Sequence, residues 1–411
     1  MAQINITLNQ DEILRLLAES NGKAFEALLK EALNSVLLAE SAEQLHAAPY
    51  ERTEERTDSR NGVRTRPLTT RIGTIELTVP RHRNVPFRTL VFDNYKRSEA
   101  ALITTMAEMV VGGVSTAKVG KVMETLCGKS FSKQTVSEAC KELDAHVESF
   151  RNRRLEKEYP FVMADATYLK VREDHKVIAK ALLIAIGFTP AGRKEVIGLD
   201  LVAAETRGTW TAFLSSLKER GLHGVRMITS DAHEGLISAI HSEFPTVAWQ
   251  RCQAHFARNI VEDVPKRLKE GLRCELVEMF NCDTIEAARK RRDEIIRDYS
   301  EAAPKAMERL DEGFEDSMTI MALPDAMRRC TRTSNYLERL NKEVKRRAKV
   351  IGVFPNAASV IRLVGALLME ENERWAAMRQ IYFSPSCEEL ARKAEDLVMI
   401  AQAQRLMRKA A

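Results

Sequence analysis

From residue 161 to residue 167 the sequence reads Phe-Val-Met-Ala-Asp-Ala-Thr, an apolar run that delivers Asp165 where it turns polar. A second run, residues 225–231, reads Val-Arg-Met-Ile-Thr-Ser-Asp and delivers Asp231 in the same way. A carboxylate at the rim of a buried sheet is costly to desolvate unless a cation lies against it, and a divalent metal is the usual cation. These two aspartates are the first indication of a functional site.

The region around the two aspartates alternates strand and helix patterns. Three apolar runs separated by short polar turns predict an antiparallel meander, and a helix, a strand, a helix and a short strand come after it. This is the order of an RNase H-like α/β fold, in which the first and fourth strands are neighbours, so Asp165 and Asp231 are predicted to lie side by side. In chain order the seven runs are residues 161–171, 177–188, 195–202, 210–220, 225–229, 233–242 and 247–250.

A third carboxylate is expected from a helix that packs behind such a sheet. Residues 333–349 form a strongly basic helical stretch in which Asn335, Glu338 and Asn341 share one face. The alternative is that Glu338 only pairs with Lys342, four residues further on, and that Glu343 pairs with Arg347 in the same way. The two aspartates favour the first interpretation, because they give this helix a reason to turn its acid inward.

Asp165, Asp231 and Glu338 are therefore the predicted catalytic residues and metal ligands. Three carboxylates on a rigid frame suit two Mg²⁺ ions, one activating a water or a 3′-hydroxyl and one stabilising the leaving oxygen, which is phosphodiester chemistry. Mn²⁺ is expected to be able to substitute. A glycosidase could also use paired acids, but it would not explain the basic segments. No glycine-rich nucleotide-binding motif is present, so no nucleotide cofactor is indicated.

Length and composition indicate a folded protein of two or three domains, since 411 residues are too many for one ordinary core. The formal net charge is only +5, so a nucleic-acid partner has to be argued from local charge. Seven scattered cysteines do not suggest a disulfide framework. The N-terminus does not resemble a signal peptide and no apolar stretch is long enough to cross a bilayer, so we expect a cytoplasmic protein without membrane contact.

The pattern divides the chain into segments around the predicted α/β core. Before the core come a helical region, a basic β-rich segment and a helical segment, over residues 1–50, 51–95 and 96–155. The remainder of the chain comprises the first part of the core, a helical insertion, the helix that carries Glu338 and a helical tail, over residues 156–258, 259–328, 329–352 and 353–411. The fold class predicted is thus an RNase H-like core interrupted by a helical insertion, with a mostly helical DNA-binding region before it.

Arginine is concentrated between residues 60 and 88, where Glu76 is the only acid. One interpretation is phosphate contact. The other is a solvated edge strand that charge protects from aggregation. On the first interpretation, the predicted DNA-binding residues of this segment are Arg60, Arg64, Arg66, Arg71, Arg81 and Arg83.

Two helical runs joined by a glycine turn at residues 127–131 fit a helix-turn-helix, with Ser132 as the predicted N-cap of the second helix. Ordinary packing in a helical bundle is the alternative. A recognition helix would expose its first residues to a DNA groove, and the basic helix after the core would turn its cations toward a polyanion. The predicted contacts are Ser132, Lys133, Gln134, Ser137, Lys345, Arg346 and Arg347.

Four motifs, taken together and in this order, resemble the signatures of bacterial Mutator-type insertion-sequence transposases. The resemblance extends upstream through residues 131–137 and 95–99 and so covers most of the chain. The four motifs are Asp-Ala-Thr-Tyr-Leu-Lys-Val-Arg-Glu at residues 165–173, Ser-Asp-Ala-His-Glu-Gly-Leu at 230–236, Trp-Gln-Arg-Cys-Gln-Ala-His-Phe-Ala-Arg-Asn at 249–259 and Asn-Tyr-Leu-Glu-Arg-Leu-Asn-Lys-Glu at 335–343.

This resemblance implies a DNA transposase with an Asp-Asp-Glu triad, which maps to Asp165, Asp231 and Glu338. It implies an enzyme that binds double-stranded DNA at terminal inverted repeats, nicks it with Mg²⁺ and joins the freed 3′-ends to target DNA. Because two ends must be cut together, we expect a homodimer or higher homo-oligomer on DNA, associated with the bacterial nucleoid. The alternatives are a catalytically idle DNA-binding regulator of the element and an RNase H-type nuclease.

Cys252 and His255 form a Cys-x-x-His pair soon after Asp231. Alone, half a zinc site is a weak signal, and a buried cysteine beside a hydrogen-bonded histidine is the ordinary alternative. Zinc is therefore not expected. The resemblance implies that this pair shapes the active site or the DNA path beside Asp231.

Overall fold

The computed structural model describes residues 23–51, 53–70, 73–89, 100–127, 130–378, 381–383 and 387–410. The chain is a mixed α/β protein in which helix outweighs strand. It divides into two compact units, Met1–Glu142 and Leu143–Ala411. None of the described helices is both long enough and apolar enough to cross a membrane.

The first unit contains a helix packed on a β-hairpin. Helix α1 (Lys23–Leu45) covers the antiparallel strands β1 (Arg60–Thr70) and β2 (Gly73–His82), which lie in the predicted β-rich segment. The part of the predicted helical run before residue 23 lies outside the described residues. The alternating apolar residues of β2 explain the packing, because every second side chain of a strand points to the same face. The buried residues of this core include Leu37, Leu68, Ile75, Leu77 and Val79.

Three further helices of the first unit pack around a small apolar core of their own. They are α2 (Ala100–Val111), α3 (Thr116–Cys127) and α4 (Lys133–Cys140). The predicted N-cap is confirmed, since the Ser132 hydroxyl accepts a hydrogen bond of 3.0 Å from the Thr135 backbone N–H. The two helices of the predicted helix-turn-helix are therefore present as secondary structure, while residues 128 and 129 of the predicted turn lie outside the described residues.

The second unit is built on a five-stranded sheet. Its strands are β3 (Phe161–Glu173), β4 (Lys176–Phe188), β5 (Lys194–Val202), β6 (Met227–Ser230) and β7 (Ala248–Arg251), in the spatial order β5-β4-β3-β6-β7. The first three form the predicted antiparallel meander, and β6 runs parallel to both β3 and β7. The first strand of the sheet thus lies beside the fourth.

Two helices cover one face of this sheet. Helix α6 (Arg207–Glu219) and helix α7 (Glu234–Glu243) bury Trp210, Phe213 and Ile240 against strand residues such as Val162 and Ile228. This layer is the main hydrophobic core of the second unit, and it holds β3 and β6 in a fixed register below the ends that carry the aspartates.

The predicted helical insertion comes after β7 and has its own apolar core, which includes Phe256, Leu272, Ile295 and Phe314. Its first helix starts earlier than the predicted boundary at residue 258, because Phe256 and Ile260 already belong to that core. Its helices are α8 (Gln253–Glu262), α9 (Lys269–Phe280), α10 (Ile285–Tyr299), α11 (Pro304–Ser317) and α12 (Asp325–Thr331).

Three long helices complete the second unit: α13 (Asn335–Ile351), α14 (Ala357–Ala377) and α15 (Cys387–Ala410). Helix α14 packs on β5 and on the short helix α5 (Asp144–Asn152). The packing there is close, since a Cβ on Gly365 would stand 2.3 Å from a Val147 methyl carbon. Helix α5 therefore groups with the second unit, and the division between units falls inside the segment 96–155 that the sequence pattern treats as one domain.

Candidate active site

Asp165 lies on β3, and Asp231 is the first residue after the neighbouring parallel strand β6. The register pairs Met163 of β3 with Thr229 of β6, and each aspartate stands two residues later. The two carboxylates are close enough for the charge of Asp231 to act on Asp165. Burial, and after it the negative charge of Asp231, raises the pKa of Asp165 to about 6.

The loop that carries Asp231 is fixed by hydrogen bonds at its base. The indole N–H of the buried Trp249 donates to the Ser230 hydroxyl at 2.9 Å, and this hydroxyl donates to the Asp231 carbonyl oxygen at 2.8 Å. The His233 backbone N–H lies 3.3 Å from Asp231 Oδ1. Core packing of Trp249 therefore sets the height of the Asp231 carboxylate above the sheet.

Helix α13 turns Glu338 and Asn341 toward this edge of the sheet. Asn341 Nδ2 donates a hydrogen bond of 2.7 Å to Asp165 Oδ2. Glu338 Oε1 lies 3.3 Å from His255 Nε2 and 3.6 Å from an Arg258 guanidinium nitrogen. The partners of Glu338 are thus cations on helix α8, and its carboxylate is directed at the core.

Cys252 and His255 link the start of α8 to the start of α13. The fully buried Cys252 sulfur accepts hydrogen bonds from the backbone N–H and the hydroxyl of Ser334, both at 3.3 Å. Burial opposes ionisation of Cys252, but its hydrogen bond with His255, the charge of His255 and the Ser334 hydroxyl hold its pKa below the usual value.

His255 is protonated at neutral pH. Its hydrogen bond with Cys252 outweighs the effect of burial, and with the negative charges of Cys252, Asp165 and Glu338 it raises the pKa of His255 to about 9. Since the imidazolium interacts with both Asp165 and Glu338, it supplies positive charge to the cluster of carboxylates.

Glu205 is a further carboxylate at this site, and the sequence pattern does not reveal it. Its Oε1 accepts a hydrogen bond of 3.1 Å from Trp210 Nε1 and lies 3.6 Å from His233 Nδ1. Burial raises the pKa of Glu205, opposed by the charge of His233 and assisted by that of Asp231. An acid in the short polar link after β5 does not by itself indicate a role at the site. The one hint is Trp210, whose buried indole N–H needs an acceptor.

The donor groups suit a hard cation, although they are not closed around one. Among the described residues, no three His, Cys, Asp or Glu side chains are arranged closely enough to hold a metal ion. Glu338 Oε1 is buried and makes no hydrogen bond in the described structure, and its contacts there are with the cationic groups of His255 and Arg258. Carboxylate oxygens are the ligands that Mg²⁺ prefers.

The predicted DNA-binding residues of the first unit differ in their exposure. Arg64, Arg81 and Arg83 are exposed or partly exposed, Arg66 is half-buried, and Arg71 lies outside the described residues. Arg60 is held within the fold, because its guanidinium donates to the backbone carbonyl oxygens of two residues after α1 at 3.0 and 3.1 Å.

At the start of the predicted recognition helix, Ser132, Lys133 and Gln134 are exposed, and Ser137 further along is half-buried. The Ser132 hydroxyl is engaged as the helix cap, and Gln134 Nε2 donates to Glu138 Oε1 at 3.0 Å. Lys133 therefore presents the cationic group of this stretch.

Of the predicted contacts on helix α13, Lys345 and Arg346 are exposed but Arg347 is only 8% exposed. Arg347 Nε donates to Glu343 Oε1 at 2.7 Å, the pairing four residues apart that α-helical spacing favours. Arg346 pairs with the same Glu343 but stays exposed, so it is burial under the helix that argues against the prediction of Arg347 as a DNA contact.

Comparison with known proteins identifies the class. The family model "Transposase, Mutator family" matches residues 1–378. The transposase for insertion sequence element IS256 in transposon Tn4001 of Staphylococcus aureus is 42% identical over 388 residues, covering 93% of this chain and 99% of the relative. The transposase for insertion sequence element ISRM5 of Rhizobium meliloti is 39% identical over 356 residues, covering 87% and 89%.

Each of these matches is to a transposase. The chain belongs to the Mutator family of transposases. Among solved structures, the Mos1 transposase paired-end complex with left transposon end aligns with 56% of this chain and 82% of its own at 12% identity, with a TM-score of 0.17 that is too low to support any conclusion about the fold. The family and these relatives thus indicate insertion-sequence transposition as the activity.

Proposed function

We propose that the protein is an active Asp-Asp-Glu transposase, with Asp165, Asp231 and Glu338 as its catalytic residues on an RNase H-like core. It binds double-stranded DNA at the terminal inverted repeats of its element, nicks the DNA and joins the freed 3′-ends to target DNA. One observation carries the proposal: Asp165 on β3 and Asp231 directly after the neighbouring parallel strand β6 interact with each other, and Asn341 of the helix that carries Glu338 contacts Asp165.

The strand order supports the assignment of the core. An antiparallel meander followed by two parallel strands is the order expected of an RNase H-like sheet, with β3 beside β6. The helical insertion lies between β7 and α13, and it returns the chain to the sheet so that Glu338 and Asp165 both interact with His255. The intact set of acids favours an enzyme over an idle regulator of the element.

Asp165, Asp231 and Glu338 would hold Mg²⁺, with Mn²⁺ as a substitute. The bound ion would supply Lewis-acid activation of the attacking water or 3′-hydroxyl. Asn341 keeps the Asp165 carboxylate oriented by donating to Oδ2. His255 and Arg258 hold Glu338 beside the site by charge. Burial and like charge disfavour ionised Asp165, and a cation at this place would relieve both.

DNA contact is proposed for the exposed cations of both units, each considered by itself. In the first unit these are Arg64, Arg81, Arg83 and Lys133. In the second unit they are Lys345 and Arg346 on the helix of Glu338. Contacts of this kind are made to phosphates, so they supply affinity rather than sequence preference. A homodimer or higher homo-oligomer would hold two element ends at once.

The test is Mg²⁺-dependent cleavage of a labelled duplex that carries the terminal repeat found beside the gene. Asp165→Asn, Asp231→Asn and Glu338→Gln should each reduce the cleavage rate by at least about a thousandfold while duplex binding is retained. The matched control is Asp174→Asn, an exposed residue in the β3–β4 turn whose φ of 47° suits asparagine. Normal cutting by Glu338→Gln would remove Glu338 from the proposed triad.

A further inference from the structure

A polar cavity of about 500 Å³ lies in the second unit, between the first turn of α6, helix α7 and helix α15. Cationic groups and hydroxyls dominate its lining, and Glu234 is the acid among the described residues that line it. Residues 234, 238, 241 and 242 succeed each other at helical spacing and so form one stripe along α7. The groups of interest are Arg207, Arg405, Arg408, His241, Ser238 and Ser242.

Much of the positive charge of this cavity is not neutralised. Within the described part of the chain, the Arg207 side chain has no hydrogen-bond or ion-pair partner, and Arg405 donates only to the Pro245 carbonyl oxygen at 3.3 Å. Arg408 lies 3.3 Å from Glu234 and 3.5 Å from Asp316, so its charge is balanced. Two guanidinium groups of the cavity, those of Arg207 and Arg405, therefore have no carboxylate partner among the described residues. A cavity with two such groups favours binding of an anion.

His241 adds an unsatisfied polar group to the same lining. In the described structure both of its ring nitrogens are buried and have no hydrogen-bond partner. Burial, and then the charges of Arg408 and Arg405, lower its pKa to about 4, so the ring is neutral at physiological pH. A buried polar group without a partner destabilises the structure that contains it. An anion that brings a proton or a water to this cavity would provide the missing partner.

Two of the elements that line the cavity begin near the loop of Asp231. Helix α7 begins three residues after this aspartate, and Arg207 begins α6, directly after the Thr206 cap. The two helix starts touch, since a Cβ on Gly235 would stand 2.7 Å from the Arg207 backbone nitrogen. The cavity and the loop of Asp231 are therefore joined by helix α7.

We propose that this cavity binds backbone phosphates of the DNA strand that passes Asp231, beside the phosphodiester to be cut. This role rests on the proposed function, since it takes Asp231 as part of the catalytic site. Two free guanidinium groups and two serine hydroxyls are the donors that phosphate oxygens accept from. A free nucleotide or inorganic pyrophosphate offers the same chemistry, and binding measurements with and without DNA separate these sources.

The first measurement is duplex affinity over a series of salt concentrations, for a terminal-repeat duplex and a scrambled duplex of equal length. Arg207→Gln and Arg405→Gln should each weaken both duplexes about tenfold, and each should reduce the salt slope by about 1, as expected for a lost phosphate contact. Glu234→Gln should act in the opposite direction. The control is Arg297→Gln, an exposed arginine of α10 that pairs with Asp298.

The second measurement locates the contact on the DNA. Single methylphosphonates remove the charge of one phosphate at a time near the cleavage position. The wild type should lose affinity at one or two positions, and the Arg207→Gln, Arg405→Gln double variant should lose nothing further at those positions. Such coupling supports the proposal. Uncoupled losses with an unchanged salt slope overturn it.

A titration of inorganic pyrophosphate into the DNA-free protein tests the other source of anion. Tight pyrophosphate binding that Arg207→Gln abolishes, without any coupled phosphate in the DNA, also overturns the proposal. Cleavage is not needed for either readout, so a wild type that binds DNA but never cuts it contradicts the proposed function alone. The Arg207 side chain makes no polar contact within the described residues, so Arg207→Gln should fold, and this variant alone suffices if Arg405→Gln does not.

Discussion

Helix α13 contacts two buried charged side chains of the second unit, Asp165 and Lys194, and their surroundings compensate the charge in different ways. Its Asn341 contacts Asp165, a carboxylate that shares its site with Asp231. Its Tyr336 contacts Lys194, whose ammonium lies 4.1 Å from the centre of that ring, 4.2 Å from Trp375 and 4.7 Å from Tyr382. Lys194 is 8% exposed.

The difference lies in how the charge is compensated. Three aromatic faces attract the Lys194 ammonium, and no ion pair with it is formed among the described residues, so this site is complete as it stands. Asp165 has one amide donor and a share of the His255 charge, set against burial and a second carboxylate. Burial lowers the pKa of Lys194 to about 8 and raises that of Asp165 to about 6. The aromatic cage formed by residues 336, 375 and 382 therefore compensates the charge of Lys194, whereas the charge of His255 and the Asn341 amide only partly offset burial and like charge at Asp165.

The largest stability effect is expected at the edge of the cage. Gly192 has a φ of 70°, and a Cβ there would stand 1.8 Å from the Phe383 carbonyl oxygen. Gly192→Ala should displace residues 381–383, which include Tyr382 of the cage, and lower the free energy of unfolding by at least about 3 kcal/mol, measured by urea denaturation.

The matched control for this change is Gly208→Ala in the first turn of α6, where a Cβ would meet only the Thr206 hydroxyl at 3.9 Å. Alanine is favoured over glycine in a helix, so Gly208→Ala should raise stability by up to about 1 kcal/mol. Equal stabilities for the two variants would mean that the Gly192 contact does not hold the cage closed.

The next effect is a gain of stability at the carboxylate site. A raised pKa means that ionised Asp165 costs stability, a cost that is absent below about pH 4 and complete above the folded pKa of about 6. Without metal, the free energy of unfolding of Asp165→Asn at pH 8 should therefore exceed that of wild type by up to about 3 kcal/mol. At about pH 3.5 the two proteins should unfold at the same urea concentration. Asp174→Asn is the control, and a loss of stability in Asp165→Asn at pH 8 would contradict the argument.

The smallest effect is expected at Lys194, with the opposite pH dependence. Because its pKa is lowered, the protonated Lys194 side chain reduces the stability of the fold. The reduction is fully present below about pH 8 and disappears as the pH rises toward the ordinary lysine pKa of 10.5. Lys194→Met fills the cage with an uncharged side chain. Its free energy of unfolding should therefore exceed that of wild type by about 1 kcal/mol at pH 7, and this difference should disappear as the pH rises. Urea denaturation of both proteins against pH checks this, with the exposed Lys157→Met as reference.

Much of the core was predictable because the local sequence pattern indicates where strands lie. The meander from β3 to β5 is evident from apolar runs bounded by turn residues, and the two aspartates stand where two of the runs end. Their proximity is implied by the order of strands and helices. Glu338 was predictable only together with the aspartates, since its own spacing equally suits a surface pair with Lys342.

The rest depends on packing that spacing does not encode. A basic helix reveals its charge but not its orientation, so Arg347 could not be separated from Lys345 and Arg346. Helix α5 has an apolar stripe that fits any neighbour, and its partner α14 is more than two hundred residues away. Lys194 at a strand start looks solvated until residues 375 and 382 are brought around it. The role of Arg71 and of the predicted helix before residue 23 stays a prediction.

The helical insertion also sets an order of events during synthesis. Asp165 and Asp231 are synthesised first, and the insertion between β7 and α13, which has an apolar core of its own, is synthesised before Glu338. Domains fold as units as the chain emerges, N-terminal parts first. On the proposed assignment, a nascent, truncated or frameshifted product that stops within the insertion has a folded sheet but an incomplete set of acids. Fragments of a decaying copy of the element would thus bring no cutting activity into the cell.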